Sequence, residues 1–207
     1  MQTTEEALLA VEHGVSAIGL VSAMPSGPGP IADELIAEIA AAVPPGIETF
    51  LLTCLTDPTD IVKQHHRFCT TTIQLVDAVD HWAFAQLRDE LPGVSLVQVI
   101  HVNSNRSIDE AIGVAPHVDA ILLDSGNPSL AVKALGGTGR MHDWNVSRTI
   151  RDSVDVPVWL AGGLKPENVA RAVDIVEPFG VDVCSGLRPN GHLDPWRLEQ
   201  FMDALRA

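Results

Sequence analysis

Short apolar runs alternate with longer amphipathic segments from one end of the chain to the other. The runs Val15–Val21, Phe50–Leu55, Thr72–Val76, Leu96–Val102, Ile121–Asp124, Val158–Leu160 and Val181–Cys184 are too short for helices and are bounded by turn residues. That is the pattern of strands buried on both faces. Between them, apolar residues recurring at helical spacing predict helices over Thr4–Gly14, Ala32–Val43, Pro58–Phe68, His81–Leu91, Ser107–Val114, Val146–Val154, Glu167–Val176 and Pro195–Ala207, the last capped by Asp194. Strict alternation with short connections gives a parallel sheet, open or closed. An eight-fold βα barrel needs one more strand ahead of Thr4. An open doubly wound sheet can have seven strands, but no dinucleotide-type glycine fingerprint follows an early strand. No linker divides the chain, so residues 1–207 read as a single domain.

Composition narrows the partners. The 207 residues are 46% hydrophobic and carry a formal net charge of −14. The charge argues against nucleic acid and anionic membranes, and no apolar run approaches the length of a membrane span. The acidic, amphipathic N-terminus lacks the features of a signal peptide, so a cytoplasmic protein is expected. Cys54, Cys69 and Cys184 have neither metal spacing nor an even count, which leaves no disulfide framework, and neither metal nor cofactor is expected.

The chemistry concentrates after the last three predicted strands. Asp124 ends an apolar strand, where a partly buried carboxyl can be tuned for proton transfer; it can equally be a helix cap. Three glycine clusters follow in succession: Gly136-Gly137-Thr138-Gly139, Ala161-Gly162-Gly163 and Cys184-Ser185-Gly186. In a barrel the loops after the last two strands bind phosphate through backbone N–H groups. The alternative is that each glycine merely permits a tight turn. Asp143-Trp144 reads as cap and packing for the next helix, and Asp182 as a strand residue making a buried hydrogen bond. His65 and His66 read as solvated on a helix face. His101 ends a strand and can face a ligand, Asp77 is similarly placed, and Arg188 either meets an anion or lies on the surface.

In order and spacing, LLDS, GGTG followed by Asp143-Trp144, LAGGL-KPENV and VDVCSGL resemble the phosphoribosylanthranilate isomerase family of tryptophan biosynthesis. Weaker likeness extends upstream to TTEEALLAVEHGVSAIGLV. The resemblance implies a TIM (βα)8-type barrel and an Amadori rearrangement of N-(5'-phosphoribosyl)anthranilate, with a phosphorylated sugar derivative as ligand. It implies that Asp124 is the acid that opens the ribose ring. Ala161, Gly162, Gly163, Ser185 and Gly186 would then hold the phosphate, and the loop carrying Gly136, Gly137 and Gly139 would flank the substrate.

The family's base is a cysteine in a Lys-Ile-Cys-Gly-like first strand; Met1-Gln2-Thr3 begin past that position, so the barrel is expected to lack this strand. Gly27-Pro28-Gly29 stands where the family has Ser-Pro-Arg, and Val76-Asp77 where it has His-Gly. Cys54 is not a convincing replacement base. Two readings follow: an isomerase-type enzyme, which is favoured, or a non-catalytic or repurposed barrel that binds a phosphorylated metabolite or a protein partner. Homo-oligomerisation stays open. The missing strand further predicts that another segment or subunit fills the gap, or that the N-terminal helix is loosely held.

Overall fold

A computed structural model describes residues 1–25, 29–126 and 141–206. Their elements are α1 (Thr4–Glu12), β1 (Ala17–Val21), α2 (Asp33–Ala42), β2 (Glu48–Thr53), α3 (Pro58–Phe68), β3 (Thr72–Leu75), α4 (His81–Glu90), β4 (Ser95–His101), α5 (Arg106–Val114), β5 (Ala120–Asp124), α6 (Trp144–Ser153), β6 (Val158–Leu160), α7 (Val169–Val176), β7 (Gly180–Val181) and α8 (Pro195–Arg206). All strand pairs are parallel, in the order β1-β2-β3-β4-β5-β6-β7. Each βα step therefore advances one strand in the same direction, which curls the sheet toward a barrel.

Alternation along the strands separates two apolar regions. One face of the sheet packs on the helices through Ile18, Leu20, Leu51, Ile73, Ile100, Ile121 and Leu123, all fully buried. The other lines the barrel interior with Phe50, Val76, Val97, Val99, Ala120, Leu122 and Ala161. Residues two apart share a face, so β5 sends Ile121 and Leu123 outward and Leu122 inward. Removing the side chain beyond Cβ of such an outward residue costs about 2–5 kcal/mol.

The barrel is open. Among the described residues β1 and β7 are the two edges of the sheet, and a cleft of about 540 Å³ runs between them. The edges are nevertheless tied across it. The Arg188 guanidinium, in the loop after β7, donates to Glu6 of α1 at 2.6 and 3.0 Å, and the Leu193 N–H donates to the same carboxylate at 3.0 Å. Arg206 of α8 donates to the His13 carbonyl at 3.3 Å. The N-terminal helix is thus anchored, not loose, and Arg188 is an internal ion-pair partner with side-chain exposure of 11%.

Several elements depart from the expected bounds, β2 among them, which runs Glu48–Thr53 and not Phe50–Leu55. The last strand is only Gly180–Val181 and ends before Asp182, because β7 pairs with β6 alone. Helix α7 begins at Val169, after a turn in which Lys165 N–H donates to the Asn168 side chain at 2.9 Å. His65 is also not solvated. Pro58, Ile61, Val62, His65 and Phe68 form the buried stripe of α3, and the His65 ring meets the Thr70 carbonyl at 2.7 Å. Only His66 remains exposed.

Candidate active site

In a parallel barrel the strands' C-terminal ends and the loops behind them converge at one mouth. Asp124 closes β5 there. Its carboxylate accepts from the Ser125 N–H at 2.7 Å, and the side chain is buried. His101 closes β4 as the register neighbour of Asp124. Its ring meets the Val76 carbonyl at 3.0 Å, and Nδ1 has no protein partner. From β4, buried Gln98 donates to Leu75, Asp77 and Val99 carbonyls at 3.0–3.1 Å and fixes the end of β3 beneath this floor. Asp77 lies at that same strand end, its carboxylate accepting from the Ala78 N–H.

The glycine positions divide by geometry. Gly162 has φ +85° and packs on the Asp124 side: a Cβ there would meet His142 Nδ1 at 3.0 Å and Ser125 N and Oγ at 3.1 Å. Gly163, with φ +68°, joins Ser185 and Gly186 around a second cavity of about 260 Å³, also lined by Lys165 and Arg197. Gly186 sits so close to the Leu164 carbonyl that a Cβ would overlap it. Arg197 of α8 donates to the Gly186 carbonyl at 3.0 Å and to Glu167 at 2.9 Å, stapling the loop after β7 to the loop after β6. Ala161 is a buried part of the interior wall, its N–H on the Leu123 carbonyl at 2.7 Å. Gly136, Gly137 and Gly139 lie outside the described residues.

Three further side chains define the electrostatics. Asp182 does not make a buried hydrogen bond inside a strand. It lies past β7, open to solvent through the cleft yet closely surrounded, and its carboxyl is pushed up to about 6, first by desolvation and then by the Asp124 charge. His142 is lowered by burial against the opposing pull of Asp124 and Asp143; its Nε2 meets Ser147 Oγ at 2.7 Å, and Nδ1 is unpartnered. Burial and the Asp182 charge push the Cys184 thiol up, so it stays protonated at neutral pH. Cys54 Sγ lies 3.3 Å from the Ala23 carbonyl, at the end of β2. Asp143 caps α6 as expected, accepting from the Asn145 N–H at 2.9 Å.

A buried carboxylate thus ends β5, and a cavity lined by glycines, a hydroxyl and two cations lies between the loops after β6 and β7. A model of the N-(5'-phosphoribosyl)anthranilate isomerase family matches residues 25–204. The chain belongs to the phosphoribosylanthranilate isomerase family. It is 34% identical to the N-(5'-phosphoribosyl)anthranilate isomerase of Methanocella arvoryzae over 206 residues, 99% of this chain and 94% of that one. It is 39% identical to the Haloferax volcanii protein of the same name over 193 residues, 91% of this chain and 82% of that one. The phosphoribosylanthranilate isomerase structure from Thermotoga maritima superposes with a TM-score of 0.85 at 26% identity, covering all of this chain and 95% of its own. Another isomerase structure, 25% identical with a TM-score of 0.82, was solved with reduced 1-(o-carboxyphenylamino)-1-deoxyribulose 5-phosphate.

Reading the sequence passed over three residues that the structure brings beside the candidate ones. Lys165 stands two residues past the second glycine cluster, which is a readable signal; Arg197, in the first turn of α8, is eleven residues past Gly186. His142 had none, because its approach to Gly162 depends on how α6 docks.

Proposed function

We propose that this chain acts on N-(5'-phosphoribosyl)anthranilate and carries the acid half of its Amadori rearrangement on Asp124. Asp124 donates its proton to the ribose ring oxygen as the ring C–O bond opens. A base then removes the proton from the adjacent carbon, and the enol form relaxes to the ketose. The phosphate occupies the cavity between the loops after β6 and β7, where Gly163, Ser185 and Gly186 offer backbone and hydroxyl donors and Lys165 and Arg197 supply positive charge in an otherwise acidic protein. Gly162 holds its loop against Ser125, and Ala161 sets that loop's height on the barrel wall.

The observation that supports this reading is a buried acid at the end of β5 together with a cavity between the loops after β6 and β7 lined by Gly163, Ser185, Gly186, Lys165 and Arg197. Asp124→Asn keeps the shape and removes the transferable proton, so turnover of N-(5'-phosphoribosyl)anthranilate falls at least a hundredfold while substrate still protects the protein against heat, given the usual weight of general acid catalysis of about 10²–10⁴. Unchanged turnover in that variant defeats the assignment.

A second reading is a barrel that binds a phosphorylated metabolite without isomerising it. Gly29, with φ +119°, and Val76, buried in the barrel interior, favour it, since both stand where the family carries ligand-side polar residues. Wild-type protein that binds the phosphorylated substrate and never turns it over supports this second reading.

A further inference from the structure

Beside Asp124, at the end of β4, stands a buried histidine. Val97 and Val99 of β4 face the barrel interior, and so do Ala120 and Leu122 of β5. Residues two apart share a face, so His101 and Asp124, register partners at the two strand ends, both turn inward. The backbone there is held on both strands. Val102 N–H donates to the Asp124 carbonyl at 2.9 Å, and Ser107 Oγ and the Asn103 side chain donate to the His101 carbonyl at 3.1 and 3.2 Å. The ring is fixed as well. Its Nε2 lies 3.0 Å from the Val76 carbonyl, which can only accept, so Nε2 carries the proton and Nδ1 of the neutral ring presents a lone pair. His101 is 8% exposed, and its Nδ1 is buried with no partner among the described residues. A buried acceptor without a donor is costly, and a donor on a ligand recovers that cost.

The order of the strands says which donor. From β7 to β4 the strand ends carry Ser185 and Gly186, then Gly163 and Lys165, then Asp124, then His101. Neighbouring strands lie about 4.8 Å apart. On the function proposed above, the phosphate sits at the first two ends and Asp124 meets the ribose ring oxygen. The ring atoms beyond that oxygen, away from the carbon that bears the phosphate arm, are C1 and C2. We propose that His101 is a substrate-binding residue whose Nδ1 accepts a hydrogen bond from the 2-hydroxyl of the phosphoribosyl group, an inference that rests on that reading of the mouth. The carbon carrying this hydroxyl is the one that loses its proton in the rearrangement. The contact therefore holds the reacting carbon in place and selects ribose over a sugar without the hydroxyl.

The test titrates the full chain by calorimetry with ribose 5-phosphate and with 2-deoxyribose 5-phosphate. Wild type should bind the first about tenfold more tightly, the weight of one hydrogen bond to a buried acceptor. His101→Gln keeps an amide N–H for the Val76 carbonyl and has no acceptor at the Nδ1 position, so it should bind the two sugars equally. His101→Asn keeps an acceptor there and loses the Val76 bond, so it should melt earlier and still prefer ribose 5-phosphate. In wild type with isotope-labelled histidine, the His101 Nδ1 resonance should move with ribose 5-phosphate and stay in place with the deoxy sugar. A preference kept by His101→Gln overturns the proposal, as does a preference lost in His101→Asn or an Nδ1 resonance that ignores both sugars. Wild type that binds both sugars equally overturns it and leaves the phosphate site standing. Wild type that binds neither overturns it together with the reading it rests on.

Discussion

Gly186→Ala separates a phosphate cradle from an ordinary turn. A Cβ at Gly186 would overlap the Leu164 carbonyl oxygen, with Leu164 C at 3.0 Å and Lys165 Cα at 3.2 Å. All three are backbone atoms, so no rotamer change relieves the overlap. The loops after β6 and β7 must part by about an ångström, against the Arg197 staple to the Gly186 carbonyl and Glu167. Overpacking of that kind costs about 1–3 kcal/mol, which in a chain of this size lowers Tm by roughly 2–10 °C. The same displacement moves the Ser185 and Gly186 donors away from any anion they share with Gly163, and a misplacement of about 1 Å can cost on the order of a hundredfold. The assay is protection by inorganic phosphate against thermal unfolding, with KM for N-(5'-phosphoribosyl)anthranilate beside it. Gly93→Ala is the control: φ is +85° with nothing within 4 Å of the added Cβ, so it pays about 1–2 kcal/mol of backbone strain and leaves phosphate protection intact. Gly186→Ala with unchanged Tm refutes the packing argument, and unchanged phosphate protection removes Gly186 from the cradle.

Two more predictions concern the cleft. Desolvation raises the Glu6 carboxyl, but hydrogen bonds from Arg188 and from Leu193 and Gln2 N–H groups, with the Arg188 charge, outweigh it and hold it at about 2 instead of 4.5. Its stabilisation, about 3 kcal/mol, is present above pH 4.5 and is lost as pH falls toward 2; urea titrations should show that slope in the wild type and not in Glu6→Gln, and an identical slope in both contradicts the ion-pair anchor. Asp182 behaves oppositely: with its carboxyl at about 6 against an ordinary 3.8, the folded protein keeps a proton that the unfolded chain has released, so stability falls as pH rises through that window. Asp182→Asn should flatten this fall and be the more stable protein above pH 6; equal stability there removes the Asp124–Asp182 repulsion from the account.

The fold was legible because its signals are local. Strands buried on both faces read as unbroken apolar runs, and Pro58–Phe68 and Val158–Leu160 coincide with α3 and β6 to the residue. Legibility faded at the cleft. The run Val181–Cys184 is apolar at alternate positions, as in a strand, but β7 ends at Val181, and among the described residues nothing pairs with its far side. Arg188 and Glu6 are separated by 182 residues, so neither announces the other. His65 looked solvated since histidine is polar, yet its position four residues after Ile61 puts it on the buried stripe, and the Thr70 carbonyl makes that burial tolerable. At the mouth, residue type alone singled out Asp124 and the glycines of the last two loops as candidates, whereas Lys165, Arg197 and His142 come beside them through contacts between loops.

Those contacts bear on how an open barrel keeps a defined site. In a closed barrel the hydrogen-bond ladder itself fixes the distance between every pair of neighbouring strand ends. Here the ladder stops at β1 and β7, and side chains span the break: Arg188 on Glu6, Arg206 on the His13 carbonyl, and Leu193 N–H on Glu6. All three join α1, or the turn after it, to the segment that follows β7. Ser185 and Gly186, which line the second cavity, belong to that same segment, and Arg197 couples it to the loop after β6. Asp124 is one strand further on, its β5 paired with β6 through three residues of register. Asp124 and that cavity therefore lie on the same side of the break, held by continuous sheet, and their relation does not depend on what occupies the cleft.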